Sequence, residues 1–155
     1  CACAARALGP CLVRRLAAAH APHARPLTDA ERRWFARWFP HDMLAAVRLA
    51  EPGAIRTAPP WLERAAARLG LSLVASPAGL CLGDLVLLAS DAALDSETLR
   101  ERILFHELVH TRQFRRLGLR GFCAEYAAGW ARAGFRYADI PLEIEARAAE
   151  AERTP

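Results

Sequence analysis

The chain has 155 residues, of which 54% are hydrophobic and 25% charged, and a formal net charge of +4. That length makes one domain able to bury a core, that balance excludes a disordered chain, and no apolar run approaches the ~20 residues of a membrane span. The positive charge comes from Arg alone, interleaved with Glu as in Glu31-Arg32-Arg33 and Arg100-Glu101-Arg102, whereas a nucleic-acid footprint would be a one-sided basic patch, so no nucleic acid is expected as a partner.

Residues 1–28 contain Arg, Ala, His and Pro and no acidic residue. They lack the basic start and clean apolar centre of a secretory signal. They read as a loosely ordered N-terminal arm, or a short helix near Cys11 to Ala19, ahead of a single domain over residues 29–155. The five cysteines, Cys1, Cys3, Cys11, Cys81 and Cys123, show no C-x-x-C spacing. Free thiols in a reducing compartment follow, and a cytoplasmic location is expected.

Pro22 and Pro26 break any early helix. Thr28-Asp29 then offers an N-cap for a helix through Trp34, Phe35, Trp38 and Phe39, ended by Pro40, with an aromatic stripe facing the core. Met43 to Leu49 reads as a strand, followed by a turn at Pro52-Gly53. Trp61 to Leu69 reads as a short helix begun by Pro59-Pro60 and closed by Gly70. Leu80-Cys81-Leu82 and Leu85 to Leu88, joined at Gly83-Asp84, make a tight hairpin. Asp95-Ser96 caps a helix that runs to about Leu117, before Gly118. Gly121 to Ala133 forms another helix, and a last one starts at Ile140-Pro141 and continues through Glu152. The expected class is α+β: a small antiparallel hairpin packed on one central helix, with two helices after it.

That central helix carries His106-Glu107-Leu108-Val109-His110. Residues four apart on a helix lie on one face about 6 Å apart, so two imidazoles can reach one metal ion. Glu107 stands where a carboxylate can take a proton from metal-bound water. A metal site of this kind needs a third protein ligand, and no His follows His110. Gln113 and Arg116 occupy the positions where the extended H-E-x-x-H-x-x-G-x-x-H pattern has Gly and His. Among the downstream carboxylates, Glu125 is too close in sequence for a helix that must turn back, and Glu150 and Glu152 read as a solvated tail. Glu143 and Glu145 begin a fresh helix that can cross the His pair. Ala146, one turn after Glu143, permits close approach. Glu143 is therefore the first choice for third ligand and Glu145 the second. Gln113, one turn past His110, either orients a ligand or caps the site.

With His106-Glu107-x-x-His110 and a later Glu143-x-x-Ala146, the stretch from about Leu80 to Arg147 resembles the gluzincin zinc peptidases. Its wording is similar to that of small bacterial zinc-metallopeptidase domains. It departs from them at Arg112, where an apolar residue is usual, and at Arg147, where Asp often follows. The resemblance implies a zincin-like fold and one Zn²⁺ per chain. It also implies hydrolysis of a protein or peptide substrate, with Glu107 as general base. Tyr137, which precedes the ligand helix, is preferred to Tyr126 as the oxyanion donor, and the strand Leu85 to Leu88 is the candidate edge for an extended peptide. The alternative function is a catalytically weak or inactive zinc-binding interaction module of a larger toxin or secretion system.

Overall fold

A computed structural model describes residues 2–56, 77–90 and 96–153. The helix expected over Trp61 to Leu69 lies outside them. The helices are α1 (Ala2–His20), α2 (Asp29–Phe35), α3 (His41–Ala46), α4 (Glu97–Arg132) and α5 (Pro141–Ala151). Strands β1 (Arg25–Pro26), β2 (Arg48–Ala50), β3 (Gly79–Cys81) and β4 (Leu85–Leu88) form one sheet in the order β1-β2-β4-β3. The class is α+β.

The sheet is mixed, which corrects the antiparallel expectation. β3 and β4 form the expected hairpin, with Leu80 opposite Leu87, but β2 runs parallel to β4, with Leu49 opposite Val86. β4 therefore lies inside the sheet, and the edge beside the hairpin is β3. Leu85 to Leu88 is no edge for a peptide. Its four consecutive apolar residues are all buried because the strand is covered on both faces. Val86 and Leu88 join Leu49 against Leu104, Phe105, Leu108 and Val109 of α4. Leu85 and Leu87 turn the other way, into a cluster with Ala50 and Ile55 to which Val13, Leu16 and Ala17 of α1 add their side chains. Residues 1–28, read above as an arm, thus hold α1 and the edge strand β1.

Met43 to Leu49 is divided where one strand was expected. Pro40 starts the short helix α3, in which Met43 and Leu44 are buried, and the strand begins only at Arg48. The run is too short for its period to decide between helix and strand. The aromatic stripe is core as expected. α2 ends at Phe35, one turn carries the chain to Phe39, and Trp38 and Phe39 meet Phe105 at ring distances of 5.6 and 5.1 Å.

α2 begins with a capping box. Thr28 Oγ1 accepts from Glu31 N, and the Glu31 carboxylate accepts from Thr28 N and from Arg25. Burial pushes the Glu31 carboxyl up, but the Arg25 and Thr28 hydrogen bonds outweigh it and hold the group down to about 2. A depressed carboxyl stabilises the fold above its ordinary pKa and loses that contribution as pH falls toward 2. Glu31→Gln is expected to cost about 1 kcal/mol at pH 7, a few degrees in Tm, and much less at pH 3. Thermal melts of the two proteins at both pH values check this.

α4 is broken where the expected first helix ends. Gly118 has φ 67° and ψ 164°, a left-handed conformation that favours Gly, and the chain re-enters the helix at once. α5 then folds back on α4. A Cβ on Gly129 would stand 2.8 Å from Pro141 Cδ, and Ala146 is wholly buried at the crossing. No helix among the described residues is long and apolar enough to cross a membrane.

Candidate metal centre

α4 brings the two imidazoles together as its period requires. His106 Nε2 and His110 Nε2 are 3.2 Å apart, with ring centroids at 4.8 Å. α5 delivers Glu143, whose Oε2 is 3.1 Å from His106 Nε2 and whose Oε1 is 3.4 Å from His110 Nε2. These three side chains could hold a metal ion. Glu143 is 2% exposed, so its charge is removed from water and directed at the two imidazoles. Burial pushes its carboxyl up, but hydrogen bonds to His106 and His110 outweigh that and hold it well below the usual carboxylate range. Burial lowers the His110 pKa, but the hydrogen bond to Glu143 together with the charges of Glu107 and Glu143 and the Gln113 hydrogen bond outweigh it and raise the group.

The surroundings fix which atoms face the centre. His110 Nδ1 donates to Gln113 Oε1 at 2.8 Å, and Gln113 Nε2 donates to the Leu142 carbonyl at 3.0 Å. The amide thus joins the two ligand helices and leaves the His110 Nε2 lone pair pointing inward. Gln113 thus hydrogen-bonds both to the His110 imidazole and to the backbone of α5. Tyr126 donates its hydroxyl to Glu143 Oε1 at 2.8 Å. His106 Nδ1 lies 3.3 Å from Glu150 Oε2. The expectation of a solvated Glu150 is corrected: its side chain is 15% exposed and faces the His106 imidazole. The missed signal was spacing, since Glu143 and Glu150 are seven residues apart and share a helix face. Glu145 points elsewhere and pairs with Arg116 at 3.0 Å. Glu125 is exposed.

Glu107 lies beside the centre beneath the start of β3. It is buried, and burial pushes its carboxyl up to about 7, against the opposing pull of His110 and His106. Gly79 makes the space for it, since a Cβ there would stand 2.7 Å from both Glu107 Oε1 and Ile103 Cγ2. A cleft of about 490 Å³ opens between β3, α4 and α5, with His106, Glu107 and Tyr137 on its walls. Tyr137 is 57% exposed there; the Tyr126 hydroxyl donates to Glu143 and the Tyr137 hydroxyl is also directed toward that carboxylate. The two departures from the peptidase pattern have structural partners: Arg112 stacks over Phe39 at 5.9 Å, and Arg147 donates to the Ala138 carbonyl.

Comparisons with family models, with curated proteins and with solved structures give no match.

Proposed function

We propose that this chain is a gluzincin-like, zinc-dependent peptidase with a zincin-like fold. The observation that carries the reading is the convergence of His106, His110 and Glu143 beside the buried Glu107, with His106 and Glu107 on the wall of a cleft. Donor atoms about 2.0–2.1 Å from a tetrahedral zinc are roughly 3.3 Å apart. The two imidazole nitrogens are 3.2 Å apart, and each lies 3.1 to 3.4 Å from one oxygen of Glu143, His106 from Oε2 and His110 from Oε1, close to that spacing. Two imidazoles and one carboxylate also suit Zn²⁺ better than the all-oxygen preference of Mg²⁺ or Ca²⁺.

Zinc in such a site supplies a water acidic enough to ionise near pH 7. Glu107, buried beside the three ligand candidates, would accept that proton on its carboxylate and return it to the departing amine. Tyr137 is the donor for the developing oxyanion. The β3 edge replaces Leu85 to Leu88 as the strand on which an extended peptide lies.

Zinc analysis of the purified chain, with a library of internally quenched peptides, tests the reading. One zinc per chain and metal-dependent cleavage are expected. Zinc without any cleavage would favour the metal-stabilised interaction module, and a chain that takes up no zinc would sink both. Gly79→Ala gives a finer check. Its Cβ displaces Glu107, so cleavage is expected to fall about a hundredfold while zinc content is kept.

A further inference from the structure

The cleft that His106 and Glu107 line runs on along α4. Leu99, Arg102, Ile103 and His106 recur at helical spacing along its α4 wall. At the helical rise Arg102 lies about 6 Å along the axis from His106, the span of roughly two extended residues. Arg102 is the only arginine among the described residues lining the cleft, and its side chain is 63% exposed. Its Nε donates to Glu150 Oε1, on the same carboxylate whose Oε2 backs His106. That contact orients the guanidinium plane. The Nη1 and Nη2 atoms make no hydrogen bond to any described residue, so the end of the fork is left for a ligand.

The free Nη1/Nη2 end of this planar fork matches a carboxylate, and a Lys could not reproduce it. Leu99, Ile103 and Pro77 supply an apolar wall on the same cleft. We propose that Arg102 is a specificity-determining residue. It binds a carboxylate of the peptide substrate, from an acidic side chain or the C-terminus, about two residues from the bond at the metal centre. This rests on the peptidase reading and deepens it.

The test uses zinc-loaded Glu107→Gln protein and calorimetry. The probes are N-acetylated hexa-alanine peptides carrying a single Glu or Gln at each position in turn, each with a free or an amidated terminus. About tenfold tighter binding of the carboxylate form is expected at one position or at the terminus. Dependence on internal Glu identifies a side-chain carboxylate, and dependence on the free terminus a chain end. Adding Arg102→Gln should bring the preference close to one. Arg102→Lys, which keeps the charge and loses the fork, should leave an intermediate preference and covers the case in which the Gln variant does not fold. Equal binding of all forms would overturn the proposal while leaving the peptidase reading standing. A carboxylate preference that survives Arg102→Gln would overturn it too, since the carboxylate would then sit on zinc. If no peptide binds at all, the peptidase reading falls with it.

Discussion

Glu143→Gln protein is expected to lose zinc. Gln keeps the shape of the side chain and its place against Tyr126, but it removes the anionic ligand that faces both imidazoles. Losing an outer-shell partner alone costs metal sites roughly 10- to 100-fold in affinity. Loss of a ligand should exceed the upper figure, and competition with a chromophoric chelator reads it directly. Stability gives a second measurement. At a thousandfold excess over Kd, zinc adds about 4 kcal/mol to the folded state, on the order of 10 °C in Tm for a chain of this size. The parent should show that rise and Glu143→Gln should not. Glu145→Gln is the control, because Glu145 is held by Arg116 away from the centre. Equal zinc affinity in the parent and Glu143→Gln would remove Glu143 from the ligand set.

The choice between these two glutamates was legible because a helix has one period. Glu143, Ala146 and Glu150 lie on one face, and Ala146 is wholly buried where that face meets α4. Glu145 is rotated off it. His106 and His110 were legible for the same reason, and the missing later His left a carboxylate to complete the set. Gln113 read as a neighbour of His110, but its bond to the Leu142 carbonyl depends on where α5 lands. Glu150 was lost to composition: a run of Ala and Glu near the chain end looks solvated until the opposing helix is known. The sheet was the least legible part. β3 and β4 are joined by a local turn, whereas β2 pairs with β4 across more than thirty residues of chain, and parallel partners carry no local turn signal. Even so, the unbroken Leu85-Val86-Leu87-Leu88 run is what a strand covered on both faces looks like.

The second large effect belongs to Glu107. Glu107→Gln keeps the three-residue ligand set and removes the proton acceptor. Zinc content should therefore hold while kcat falls about 10²- to 10⁴-fold, the usual contribution of a general base. Zinc analysis and single-turnover cleavage of a quenched peptide check this, and cleavage at the parent rate would take the general base away from Glu107. The same substitution has a signature without metal. Burial beneath Gly79 raises the Glu107 carboxyl to about 7 in the folded protein, from an ordinary 4.5. The folded state holds this proton more tightly than the unfolded chain does. Its stabilising contribution is therefore complete below pH 4.5 and is lost as pH rises through 7, on the order of 3 kcal/mol in all. Gln cannot ionise and should not show that loss. Zinc-free parent and Glu107→Gln proteins should melt alike at pH 4.5, and the variant should be the more stable at pH 8. Parallel melting curves across that range would mean that burial does not tune Glu107. In the zinc-free protein that burial costs stability at neutral pH, and the pH dependence of the melt reads it independently of any cleavage assay.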